Sequence, residues 1–259
     1  MMKPFQRRIL SWYKKNKRDL PWRKTTNPYR ILVSEIMLQQ TQVDRVIPYY
    51  LKFIKKFPDL ETLAKADKKL VLQHWSGLGY NNRVLRLQQL TQILIKNKKS
   101  IPQTAEELLQ LPGIGAYTAN AVLAFAFNKE VPVLDTNIRR VLMHELTLPE
   151  HIDIKKLKKI AQSYILKGKS RLWHNALMDY GALVLTAKKT GIAPLSKQSA
   201  FKGSDREVRG FIIKTLLKEK RISINKIKKS FPEKNILSIA KKMEKENLIE
   251  IKKQNITIA

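Results

Sequence analysis

Apolar residues recur at three- and four-residue spacing through most of this chain, which predicts a succession of amphipathic helices. The pattern holds over residues 5–13, 31–39, 43–57, 60–65, 68–74, 82–97, 105–109, 116–127, 136–146, 154–166 and 172–185. Prolines at 21, 58, 102, 112, 132 and 149 punctuate the array, whereas Pro48 falls inside a helical pattern and predicts a kink. The periodicity stops at Thr186, and residues 186–204 read as a linker of Lys, Gly, Ser and Pro.

Beyond the linker the pattern resumes. Residues 205–218 form an amphipathic helix with Val208, Phe211, Ile212 and Leu216 on one side, followed by helical stretches at 224–229 and 235–246. LIEIKK and ITIA, either side of Gln254–Asn255, alternate as two strands around a polar turn. Three helices and a terminal β-hairpin resemble a winged helix, with Lys241, Lys242 and Lys245 on the helix in the recognition position. DNA contact and a small packing domain with solvated lysines both fit that segment. The expected organisation is a mainly α domain over 1–185, a linker over 186–204 and a winged-helix-like domain over 205–259. No internal repeat is visible.

Charge narrows the partners. The chain carries 51 Lys+Arg against 21 Asp+Glu, a formal net charge of +30. Such an excess predicts a polyanionic partner, although an AT-rich genome also enriches Lys, Ile and Asn. Nucleic acid is favoured over membrane, because no segment reaches the roughly 18 unbroken apolar residues of a spanning helix. There is no cysteine, which excludes a disulfide, a thiolate nucleophile and a Cys-ligated metal. The four His, at 74, 144, 151 and 174, show no ligand spacing, so no metal site is expected. MMKPFQRRIL has no apolar signal core, so a cytoplasmic protein is expected, nucleoid-associated if bacterial.

The candidate chemistry starts at LPGIGAYTANAVLAFAFNKEVPVLDTN, residues 111–137. It reads as a helix, a glycine hairpin, a helix from Ala116, and a turn ending in Asp135. Gly113 and Gly115 let the chain reverse tightly, since glycine tolerates positive φ. The free N–H groups at the start of the next helix suit a phosphate oxygen. A backbone anchor followed by a carboxylate suggests chemistry on a held nucleic acid strand. An ordinary helix pair with an Asp capping the next helix fits the same residues.

LPGIGAYTANAVLAFAF followed by VLDTNIRRVL resembles the helix–hairpin–helix, Gly/Pro-rich loop and Asp signature of the endonuclease III superfamily of DNA glycosylases. PWRKTTNPYRILVSEIMLQQTQVDRVIPYYLKF and HWSGLGYNNRVLRL are similar to blocks of its adenine DNA glycosylase (MutY) branch. The resemblance covers roughly residues 3–185. It implies a helix-hairpin-helix glycosylase fold of two helical subdomains with the active site between them. It also implies a partner, double-stranded DNA with a mispair or lesion, bound by a monomer.

Removing an undamaged purine requires protonation of the leaving base and a negative charge beside the oxocarbenium-like sugar. Glu35 lies in the apolar run SEIMLQQ, where Ile36, Met37 and Leu38 would desolvate it and raise its pKa. Asp135 precedes a helix whose N-terminal end would keep it ionised. By resemblance, Glu35 matches the acid/base that protonates adenine N7, Asp135 the carboxylate facing the sugar, and Asn137 the Asn of a DGN motif that reads DTN here. Tyr117 stands where lyases of the superfamily carry a Schiff-base Lys, which implies a monofunctional enzyme. Tyr80 matches the residue inserted beside the lesion, and Gln40 and Thr41 match residues that contact bases there. Arg18, Leu20, Trp22, Arg23 and Leu38 match the adenine pocket.

Three departures matter. The second Tyr of the common GLGYY is Asn81. The iron–sulfur cluster of the family has no ligands here, with Leu185 in the first Cys position and Ala193, Pro194 and Leu195 near another. Lys188, Lys189 and apolar packing are expected to brace that loop instead. No cofactor is expected, although a monovalent cation at the hairpin is compatible with the resemblance. Residues 204–259 are too few for the nucleotide-hydrolase-like domain that inspects 8-oxoguanine, so its discrimination from guanine is an open point. The expected activity is removal of adenine opposite 8-oxoguanine or guanine. The alternatives are thymine or uracil removal from mispairs with guanine, and a catalytically silent DNA-binding protein.

Overall fold

The computed structural model describes residues 2–194 and 200–259, and Leu195 and the rest of 195–199 lie outside the described residues. The chain divides into two compact units, Met1–Glu35 with Ile101–Lys197, and Ile36–Ser100 with Gln198–Ala259. The helices in chain order are α1 (Pro4–Asn16), α2 (Pro28–Leu38), α3 (Val43–Lys56), α4 (Leu60–Lys65), α5 (Lys68–Trp75), α6 (Asn82–Lys96), α7 (Ala105–Leu109) and α8 (Ala116–Phe125). They continue with α9 (Thr136–Glu145), α10 (Ile154–Ser163), α11 (Ser170–Leu183), α12 (Ala187–Thr190), α13 (Asp205–Lys218), α14 (Ile224–Ser230) and α15 (Ile236–Lys245). Strands β1 (Ile222–Ser223), β2 (Ile249–Lys252) and β3 (Asn255–Ile258) complete the described elements.

In the first unit α11 packs against α1, α8 and α9. Burial explains why: Trp173, Ala176 and Leu177 of α11 are lost from solvent together with Ile9 of α1 and Val141 and Leu142 of α9. Phe5 meets the Trp173 ring edge-on at 6.0 Å, and Trp12 meets Tyr180 at 5.2 Å. His174 is buried between Ser170 and the Val133 amide, which donates to its Nε2 at 3.2 Å. Burial pushes its pKa down to about 4, so this His is a neutral packing group.

The expected helices appear within a few residues of their bounds, and α3 runs through Pro48 as one helix. Asp59, Asp67, Thr104 and Asp153 each cap the helix that follows with a side-chain oxygen. The linker expectation is corrected in part. Thr186 caps the short α12 inside it, and Gly191 ends that helix at φ +72°.

In the second unit α4 and α5 pack on α6 around Phe53, Phe57 and Trp75. The C-terminal elements form a three-stranded antiparallel sheet of order β1-β3-β2, with α13, α14 and α15 over it. In chain order these elements run α13, β1, α14, α15, β2 and β3. β1 was absent from the sequence reading because two residues are too few to alternate. Ile222 and Ile256 pair across the sheet, and Val208, Ile212, Ile239 and Met243 close the core. α13 also packs on α5.

Candidate active site

The candidate catalytic residues of the first unit are carried by three helices, α2, α8 and α9. Glu35 lies on α2 with only 6 % of its surface exposed. Tyr117 is in the first turn of α8, and its hydroxyl donates a hydrogen bond to the Glu35 carboxylate. Asp135 is the N-cap of α9, its Oδ1 accepting from the Ile138 amide at 2.6 Å. Asn137 donates from Nδ2 to Asp135 Oδ2 at 2.9 Å.

The electrostatics separate the two carboxyls. Burial pushes Glu35 up to about 7; the Tyr117 hydrogen bond and the Arg23 cation oppose this, and the Asp135 charge adds to it. Near neutral pH Glu35 therefore holds a proton a large part of the time. Asp135, expected to be kept ionised by its helix, is opposed in this by burial. It keeps some solvent contact, yet its surroundings are dense enough that desolvation raises its pKa. The Ile138 and Asn137 hydrogen bonds and the Arg140 charge pull the other way without cancelling the rise. Tyr117 is raised well above the usual phenol value by burial and by both carboxylates, so it stays a neutral donor.

The hairpin between α7 and α8 uses its two glycines differently. Gly113 adopts φ +82°, as the reversal requires. Gly115 does not use positive φ: it is the extended N-cap of α8 at φ −100°, and no side chain caps the helix there. A residue without a side chain at this position leaves the first N–H groups of α8 uncovered.

Arg18 and Arg23 have a partner that the sequence did not reveal. Arg18 Nε lies 2.6 Å from Asp179 Oδ1, and Arg23 Nη2 lies 2.8 Å from the same oxygen. The Arg18 amide also donates to Asp179, at 3.0 Å. Burial alone would raise the fully buried Asp179 carboxyl, but Arg23 and Arg18 hold it below its ordinary value. Leu20 and Trp22 between them are buried. The RDLPWR segment is thus fastened to α11.

A second network runs from Asp135 through Asn137 to the buried Arg140, whose Nη2 donates to Asn137 Oδ1 and to the Gly181 carbonyl, both at 2.7 Å. Arg140 Nε also donates to the Leu185 carbonyl, at the position where the family has its first Cys. Arg139 donates to the carbonyls of Ala193, at 3.0 Å, and Glu150, at 3.3 Å. The expected bracing by Lys188 and Lys189 is therefore corrected: both are exposed, and Arg139 and Arg140 hold the segment through backbone carbonyls. Gly181 is part of this arrangement. A Cβ there would meet the Asn137 carbonyl at 2.7 Å and its Cβ at 2.9 Å. Gly181→Ala must push α9 from α11 and should lower stability by about 1–3 kcal/mol, read by chemical denaturation.

In the second unit, Gln40 and Tyr80 adopt left-handed backbone conformations at φ +57° and +48°. Arg83 ties their two loops together. Its guanidinium donates to the carbonyls of Ile36 at 2.8 Å, Met37 at 3.1 Å and Gly79 at 3.1 Å, and to the Thr41 hydroxyl at 3.4 Å. Leu38 is half-buried at the end of α2. Lys241, Lys242 and Lys245 are exposed on α15, opposite its buried Ile239 and Met243. Among the described residues no helix is long and apolar enough to cross a membrane, and no cluster of His, Asp or Glu could hold a metal.

Residues 33–194 match the family described as HhH-GPD superfamily base excision DNA repair protein. The chain is 41 % identical over 197 residues to an adenine DNA glycosylase of Buchnera aphidicola subsp. Baizongia pistaciae, covering 74 % of this chain and 56 % of that one. It is 36 % identical to an adenine DNA glycosylase of Mycolicibacterium smegmatis, covering 80 % and 78 %. The chain thus spans little more than half of the Buchnera relative. Among solved structures, a thermostable thymine-DNA glycosylase superposes with TM-score 0.66 at 31 % identity, covering 73 % of this chain and 91 % of that one. A trapped endonuclease III–DNA covalent intermediate superposes with TM-score 0.62 at 21 % identity, a likeness of fold, covering 73 % and 87 %. With the hairpin, the α9 carboxylate and the match over 33–194 together, this chain belongs to the HhH-GPD superfamily of base excision DNA repair proteins.

Proposed function

We propose that the chain is a monofunctional DNA glycosylase that hydrolyses the N-glycosidic bond of adenine mispaired with 8-oxoguanine or guanine. The observation that carries this reading is the buried Glu35 carboxyl, held near pKa 7 and bonded to Tyr117, with Asp135 in the same unit. Glu35 gives its proton to adenine N7. The C1′–N9 bond then breaks with its electron pair leaving on the base, and the cationic sugar is stabilised by ionised Asp135. A water attacks C1′ and its proton returns to Glu35, leaving free adenine and an abasic site. Asn137 and Arg140 position Asp135. The uncovered α8 N–H groups take a DNA phosphate, and the lysines of α15 add non-specific attraction. Gln40, Thr41 and Tyr80 contact the DNA at the lesion.

Adenine is favoured over thymine because relatives named adenine DNA glycosylase reach 41 % identity against 31 % for the thymine-DNA glycosylase. Single-turnover assays on A:8-oxoG, A:G, T:G and U:G duplexes test the choice. Free adenine from the first two is expected, and release of thymine or uracil alone would refute it. No release from any duplex despite tight binding would leave a silent DNA-binding protein. Because Tyr117 has no amine to form a Schiff base, borohydride should trap no covalent complex. Efficient trapping would show that one of the many lysines reaches C1′.

A further inference from the structure

The turn between α10 and α11 is fastened to the C-terminal end of α8, away from the proposed chemistry. Arg171 donates from Nη2 to the Ala126 carbonyl at 2.7 Å and from Nε to that of Phe125, so a cation meets the carbonyl end of the helix. The Arg171 amide donates to Asn128 Oδ1 at 2.9 Å, and Asn128 Nδ2 donates to the Gly168 carbonyl at 2.8 Å. Glu130 closes the corner. Its carboxylate accepts from the Gly168 amide at 2.7 Å, and its carbonyl accepts from Gln162 Nε2 at 2.8 Å. Asn128 at φ +54° and Gly168 at φ +67° supply the left-handed backbone that this fit requires.

The corner is a preformed platform, and what it displays is positive. Lys129, Lys167 and Lys169 are exposed on it. Gln162 turns one face of α10 toward Glu130, and Lys155, Lys158 and Lys159 lie exposed on that face, one and two turns back. From Lys155 to Gln162 the helix rises about 10 Å, the span of roughly three phosphates along one strand. No Asp or Glu occurs between Asp153 and Asp179. Asp153 is spent on the Lys155 and Lys156 amides, Asp179 on Arg18 and Arg23, and Glu130 on Gly168.

This surface lies apart from the hairpin. The N–H groups that take a phosphate in the reading above are at the other end of α8, ten residues away. That is about 15 Å, more than the Debye length of about 8 Å at physiological salt, so the corner adds little to a phosphate held there. A row of compact ammonium groups on an open face suits the repeating phosphates of a duplex of any sequence. We propose that the α10–α11 corner is a second DNA-binding surface, which holds a separate duplex segment by its phosphates while the hairpin holds the first. One molecule then bridges two segments and passes between them without a free interval in solution. The inference rests on the glycosylase reading only in taking the hairpin as the first site.

Its test uses the full chain. A duplex with a tetrahydrofuran abasic analogue opposite guanine is immobilised and saturated with protein, and capture of a second, undamaged fluorescent duplex is measured against salt. Sedimentation gives the stoichiometry, and one protein holding two duplexes is expected. Combining Lys158→Gln, Lys159→Gln, Lys167→Gln and Lys169→Gln should weaken capture by about tenfold or more. The salt slope of capture should fall by about 3 to 4, close to 0.9 per lysine, while first-duplex affinity and excision rate stay within about twofold. Lys241→Gln with Lys242→Gln and Lys245→Gln, on α15, should leave capture intact. No capture by the unmodified protein, capture only by paired proteins, or loss in the α15 variant but not the corner variant would overturn the second surface. Equal weakening of both duplexes by the corner variant would do the same. Polyglutamate that displaces the second duplex as readily as competitor DNA would overturn its assignment to DNA. If two duplexes are held but no base is released from any mispair, the glycosylase reading fails and the second surface stands; adenine release without capture gives the reverse.

Discussion

Glu35→Gln is expected to abolish adenine release while leaving affinity for duplex DNA nearly unchanged. The amide keeps the shape of the side chain and a hydrogen-bond acceptor for Tyr117, but it has no acidic proton to give. Loss of a catalytic proton transfer costs on the order of 10²–10⁴-fold in rate. The same substitution should stabilise the fold, with a definite pH sign. The carboxyl titrates near 4.5 when unfolded and about 7 in the native site. The native state therefore binds more protons between those values, and wild-type stability falls as pH rises through them. The full penalty, on the order of 3 kcal/mol, applies above about pH 7 and vanishes below the unfolded value. Denaturation at pH 8 should show the variant more stable than wild type, with the two converging toward pH 4. Near wild-type adenine release by this variant would place the proton donor elsewhere.

Asp135→Asn should lower the single-turnover rate to a similar or greater extent, by roughly 10²–10⁴-fold, because it removes the charge facing the cationic sugar. The substitution isolates charge from architecture. Asn is as good an N-cap as Asp, so the Ile138 amide keeps its acceptor and α9 keeps its start. Binding should fall with salt along the wild-type slope, since the Lys and Arg contacts to phosphate are untouched. An unchanged rate would mean that another group stabilises the sugar.

The parts of this molecule that were legible in the sequence are those written locally. The hairpin and α8 follow from LPGIG and an apolar run, and Glu35 announced itself as a lone acid inside SEIMLQQ. The missed parts are long-range. Asp179 lies 156 residues beyond Arg23 in sequence, and only the packing of α11 brings it to the RDLPWR segment. Without that contact, Arg18 and Arg23 read as free to face a base. Arg139 and Arg140 bind backbone carbonyls, which carry no residue pattern, so the bracing of the clusterless segment could not be read from side-chain types. Gly115 misled for another reason: glycine at a helix N-cap and glycine at positive φ look alike in sequence. The cap that Asp135 makes is written locally, whereas the dense surroundings that raise its pKa are not.

The central claim, a protonated Glu35 working with an ionised Asp135, is tested most directly by the pH dependence of adenine release at subsaturating enzyme, which reports groups of the free enzyme. The account predicts a bell. Its basic limb falls above about pH 7 as Glu35 loses its proton, and its acid limb lies above the ordinary aspartate value of 3.8 as Asp135 gains one. A rate that stays level to pH 9 in the wild-type enzyme would contradict it.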